Sequence, residues 1–314
     1  GAFSLLNPIA GSYVEHNRVL VINGAPGYAE QKRQRVEGLL YSHMTGDESS
    51  NINAYRPVTV AAEQVRNAAM APIKIDAAIA ACIFDGRPAY LEVYEDVWRE
   101  SCAAPAGPLL KGTHSGRESA TAGAVNATLE MIDELGTPLF WAGVEVNRFN
   151  EQESFRRLIE ATGSPFMTSI LAKSVLPESH PLFRGVYNGK ATPPAIKDVF
   201  DHAGCRIGIG VWNTSKNLGG TNPWDNATVM ANNEGVTVGN RYFANVVLGD
   251  YIDGLTAALA DRTIQRYEIA TIDVFEDCVF KDAEPPTAHL TYDSFFEAMD
   301  QYLREEHVVV VDAG

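Results

Sequence analysis

Short apolar runs rich in β-branched residues alternate with stretches of helical spacing almost from end to end of the chain. A strand followed by a helix can return to a parallel neighbour only by crossing over a sheet face, so this alternation specifies an α/β fold with parallel sheets flanked by helices. Helical spacing is expected at 5–15, 60–69 and 73–84, with strands at Val19-Leu20-Val21-Ile22 and Ala89-Tyr90-Leu91-Glu92-Val93. After residue 102 the sequence Ala-Ala-Pro-Ala-Gly-Pro-Leu-Leu-Lys-Gly-Thr-His-Ser-Gly loses all period and reads as a surface linker. A second block then predicts helices at 122–135, 151–162, 194–202 and 250–260 and strands at 138–142, 166–169 and 206–211.

The Lys281-Asp-Ala-Glu-Pro-Pro286 stretch is a second connector, and 292–305 is helical. Val308-Val309-Val310-Val311 reads as a buried parallel strand arriving at a turn. The expected organisation is therefore 1–102 as one partial domain, 103–118 as linker, 119–262 as a complete domain, 263–291 as connector and 292–314 as the start of a third. Gly1 stands where a Met would open a chain, with no leader of the secretory type behind it, so the beginning is expected to be missing.

Charge excludes one class of partner. The 40 acidic residues against 25 basic give −15, and no block of Lys and Arg is long enough to neutralise consecutive phosphates, so nucleic acid is not expected. The longest apolar runs fall far short of the roughly 20 residues of a membrane span. Cys82, Cys102, Cys205 and Cys278 are far apart and form no CxxC pair, as expected of reduced thiols in a cytoplasmic protein.

No pair of the seven histidines has metal-ligand spacing, and neither a P-loop nor a Gly-x-Ser-x-Gly elbow occurs. Gly208-Ile209-Gly210-Val211-Trp212-Asn213 has two glycines of a dinucleotide fingerprint but Asn in place of the third, with the glycines placed inside the strand. Gly249-Asp250-Tyr251 reads as a turn before a helix.

Three ordered segments carry a resemblance. The run from Gly1 to Glu15 with Ile22-Asn23-Gly24-Ala25-Pro26 is similar to the pyrimidine-binding domain of the thiamine-diphosphate-dependent 2-oxo-acid decarboxylases, the pyruvate/indolepyruvate decarboxylase family. Ala71-Pro72-Ile73-Lys74-Ile75-Asp76 and Arg87-Pro88-Ala89-Tyr90-Leu91-Glu92-Val93 look like the end of that domain. The segment Leu171 to Ala191, with Pro177-Glu178-Ser179-His180-Pro181-Leu182-Phe183 at its centre, resembles the central domain, which has a dinucleotide-binding-like fold.

The resemblance implies nonoxidative decarboxylation of a 2-oxo acid (pyruvate, indolepyruvate or phenylpyruvate) to an aldehyde, with thiamine diphosphate and Mg²⁺. It also implies a homodimer or homotetramer, because such active sites form between subunits. It places the carboxylate that activates the cofactor before Gly1 and the Gly-Asp-Gly Mg²⁺ motif after Gly314, so the chain by itself is expected to be inactive. One catalytic residue is expected within it: His43 matches the second His of a family His-His pair, while Ser42 stands in place of the first. Imidazole suits that proton-handling position because it titrates near neutral pH. The alternatives are an acetolactate-synthase-like carboligase carrying FAD, and a noncatalytic scaffold module.

Overall fold

The computed structural model describes residues 2–40, 45–109, 117–260, 262 and 290–310. It divides into two compact units, Gly1–Ile269 and Ala270–Gly314. The first holds two sheets.

The smaller sheet begins with helix α1 (Leu6–Val14) leading into strand β1 (Leu20–Ala25). Helices α2 (Tyr28–Glu37) and α3 (Ser50–Tyr55) follow, then β2 (Ala61–Val65), α4 (Ala71–Phe84) and β3 (Ala89–Tyr94). Gly38 ends α2 in the left-handed conformation at φ 70°, which its missing Cβ makes inexpensive. The strand order is β1-β3-β2, all parallel, so β3 lies in the middle and every one of its residues is buried. One face packs Leu91, Val93 and Val65 against Ala71, Ala78 and Cys82 of α4. The other packs Val21 and Tyr90 against Ile9, Ile52 and Tyr55, with the two tyrosine rings stacked at 4.1 Å.

The helix expected over 60–69 is instead the strand β2, followed by a 3₁₀ turn at Ala68–Met70. Its Ala, Glu and Gln favour a helix locally, but its place beside β3 decides the outcome, as tertiary context commonly does for strands.

The larger sheet follows helix α5 (Arg117–Leu135). Its elements are β4 (Pro138–Ala142), the short α6 (Glu145–Arg148), α7 (Gln152–Thr162), β5 (Phe166–Ser169), β6 (Phe183–Tyr187), α8 (Pro194–His202) and β7 (Cys205–Ile209). After α9 (Ser215–Leu218) come β8 (Thr228–Asn232), β9 (Gly235–Val238), β10 (Arg241–Ala244) and α10 (Leu248–Leu259).

The order is β10-β9-β8-β7-β4-β5-β6. From β8 to β6 the pairing is parallel, whereas β9 and β10 extend the sheet as an antiparallel meander not expected from the sequence. Successive residues of β4 show that helices cover both faces: Phe140 meets Phe155 of α7, and Trp141 meets Phe200 of α8. Buried Tyr251 and Thr128 join α10 to α5 through hydroxyls 2.7 Å apart.

In the second unit, helix α11 (Tyr292–Tyr302) starts with a capping box in which Thr291 and Ser294 bond each other's backbone N–H. The expected terminal strand is absent over 307–310, where Val308 and Val310 are 90% and 92% exposed. A parallel strand exists only when paired, and no strand neighbours this run among the described residues.

Candidate functional site

Glu92 is a charged residue at the centre of the most buried strand in the smaller sheet, 1% exposed. Burial of a lone carboxylate is costly unless donors surround it. Four side chains do so. Asn23 of β1 donates to Oε2 at 3.3 Å, Asn51 of α3 at 3.1 Å and the Tyr90 hydroxyl at 2.7 Å, while Gln64 of β2 donates to Oε1 at 2.8 Å.

The strand register explains why these residues meet: Asn23, Glu92 and Gln64 lie opposite one another across the three strands. The carboxylate thereby ties the whole sheet to α3, and Gln64 reaches further to the Glu48 carbonyl at 3.2 Å. Among the described residues no cation is a hydrogen-bond partner of Glu92, and neutral dipoles surround its carboxyl group. The signal was present in the sequence as a lone acid in an apolar strand, but the four partners come from separate segments and carry no common motif.

His43 and Ser42 lie outside the described residues. Gln64 and Asn51 anchor the segment that follows them, Glu48 to Tyr55, onto the sheet.

A second constellation forms in the larger sheet. The chain leaves β4 toward β5 and β6 on one side and later returns to place β7 and β8 on the other, so the strand order reverses between β4 and β7. Open α/β sheets offer a crevice outside the carboxyl ends of their strands at such a point. Here the turns after β4 and β7 touch: a Cβ on Gly143 would lie 2.0 Å from the Gly210 carbonyl oxygen, and Gly210 has φ 68°. Gly208 lies within β7 as expected, but Gly210 falls after it.

Near this contact is an open cavity of ≈ 480 Å³, lined by Glu145, Trp212, Asn232 and Glu234 and also by His16 and Arg87. Glu145 is 4% exposed and accepts from Trp212 Nε1 and the Asn233 amide, both at 2.9 Å. Desolvation raises its pKa, although the donors from Trp212, Asn233 and Asn232 offset part of the rise.

His16 stands at φ 51°, accepts from Arg87 Nη2 at 2.7 Å and places its ring 5.1 Å from Trp212. Burial, followed by the Arg87 charge, lowers its pKa to about 4. Arg87 also covers the Tyr13 ring and pairs with Glu234 at 3.7 Å.

Among the described residues no group of three or more His, Cys, Asp or Glu could hold a metal ion. Asp250 is exposed in the first turn of α10. These residues do not fit Mg²⁺ and a diphosphate. Nor does any helix among them have the length and apolarity to cross a membrane.

Residues 125–258 match the family model for the thiamine pyrophosphate enzyme central domain. Over its whole length the chain is 26% identical to a probable pyruvate decarboxylase of Schizosaccharomyces pombe, covering 55% of that protein, and 25% identical to pyruvate decarboxylase 4 of Arabidopsis thaliana, covering 52%. An indole-3-pyruvate decarboxylase of Azospirillum brasilense is 25% identical over 85% of the chain and 49% of its own length. The chain spans about half the length of the curated relatives it matches.

Proposed function

We propose, from a chain whose residues 125–258 match the family model for the thiamine pyrophosphate enzyme central domain, that the intact protein is a carboxy-lyase that decarboxylates a 2-oxo acid to an aldehyde without oxidation. The observation that carries this is similarity along the full chain, through both sheets, to proteins named for pyruvate decarboxylation. Thiamine diphosphate, bound with Mg²⁺ by residues elsewhere in the intact protein, would supply the electron sink for the carbanion left by CO₂.

The part of this chain is to shape one wall of the site and move a proton. His43 is the group proposed to move it, with the Glu92 network holding the following segment against the sheet. The intact protein is proposed to assemble as a homodimer or homotetramer in the cytoplasm. Pyruvate, indolepyruvate and phenylpyruvate are the candidate substrates.

An aldehyde-coupled assay of the intact protein on these three acids tests the proposal. Turnover of at least one is expected, with His43→Ala lowering kcat by about 10²–10⁴-fold, the usual share of a positioned proton donor or acceptor. Acetolactate formation in place of aldehyde would replace decarboxylation with carboligation, and an unchanged kcat in His43→Ala would remove His43 from the mechanism.

A further inference from the structure

The crevice where the larger sheet reverses its strand order has a chemistry of its own. Its volume of ≈ 480 Å³ suits a small molecule. Two carboxylates, Glu145 and Glu234, face it, against one guanidinium, Arg87. Arg87 is paired with Glu234, and His16, held as the acceptor of an Arg87 N–H, is neutral near pH 7.

Glu145 is thus left as the buried acid of the cavity, with neutral donors but no ion pair among the described residues, and its desolvation raises its pKa. A buried carboxylate without a counter-charge favours a cation that can reach it. The indole of Trp212 beside it and the Tyr242 ring at the rim offer faces of the kind that attract an organic cation. A dinucleotide would meet the opposite conditions: its diphosphate would face two acids, and the β4 and β7 turns are already in contact through Gly143 and Gly210.

We propose that this crevice binds a small organic ammonium ion, held by the Glu145 carboxylate against the Trp212 indole, and rejects anions of the same shape. The inference is independent of the decarboxylase proposal.

Isothermal titration of the 314-residue chain with benzylamine, benzyl alcohol and benzoate separates charge from shape. One equivalent of benzylamine should bind at least about tenfold more tightly than benzoate, with the alcohol between them. Glu145→Gln should abolish that order. Should this variant fail to fold, the wild-type chain gives a second test. Benzylamine stays protonated from about pH 8 down to about pH 5, and its affinity should fall as the pH is lowered, because burial raises the pKa of Glu145 and a protonated carboxyl attracts no cation. The proposal is overturned if benzoate binds as well as the amine, if none of the three binds, or if amine affinity is unaffected by both pH and Glu145→Gln.

Discussion

Removal of the Glu92 carboxylate by Glu92→Leu would leave the donors of Asn23, Asn51, Gln64 and Tyr90 without their acceptor in a buried site. Stranded polar groups of this kind cost more than the bonds they formed, so a loss of about 3–5 kcal/mol is expected in urea unfolding. Glu92→Gln keeps an acceptor and should lose clearly less; equal losses would show that the network contributes little.

At His16 the sign of the pH effect follows from its lowered pKa. The unfolded chain binds this proton near pH 6.5 and the folded chain only near pH 4. Stability should therefore be full above about pH 6.5 and fall as the pH drops toward about 4, because the unfolded state takes up more protons there. Glu145, with a raised pKa, acts in the opposite direction. The difference between wild type and His16→Asn isolates the histidine, and Asn tolerates the positive φ of this position. The urea midpoint of His16→Asn should lose less than wild type across this window; parallel curves would remove His16 as the titrating group.

At the scale of elements, α1 is where the proposed assembly can be tested. Leu5 and Val14 at its two ends are 50% and 64% exposed, and nothing lies within 4 Å of a Cβ built on Gly11. Ala10, Gly11 and Ser12 thus present a surface to which another subunit can approach closely. Gly11→Trp should shift the intact protein to a smaller species in sedimentation, while the melting of this chain changes little because no neighbour is displaced. An unchanged sedimentation coefficient would move the interface elsewhere.

Elements with strong local signals were legible in the sequence: β4 as a continuous apolar run, β3 and β5 as short runs led by apolar and aromatic residues, and α7, α8 and α10 by helical spacing. Those set by partners were not. β2 carries helix-forming residues and became a strand beside β3, and β6 is interrupted by Gly185 at φ 116°, where a Cβ would collide with Ile196. β8 to β10 turn through Asn233-Glu234 and Gly239-Asn240, a meander whose hydrogen bonds are fixed only once β7 is in place. The candidate sites follow the same rule: Glu92 and Glu145 become conspicuous only when the fold removes water and gathers donors from distant segments.

For the whole molecule, the proposal is that this chain forms part of a decarboxylase and that the other half of its relatives' length carries the main cofactor contacts. The most direct measurement is isothermal titration of the 314-residue chain and of the intact protein with thiamine diphosphate in the presence of Mg²⁺. The intact protein should bind, and the chain should show no affinity at about millimolar or better, a level worth about 4 kcal/mol. A clear isotherm with the chain alone would contradict this and would return the cofactor's anchors to residues present here.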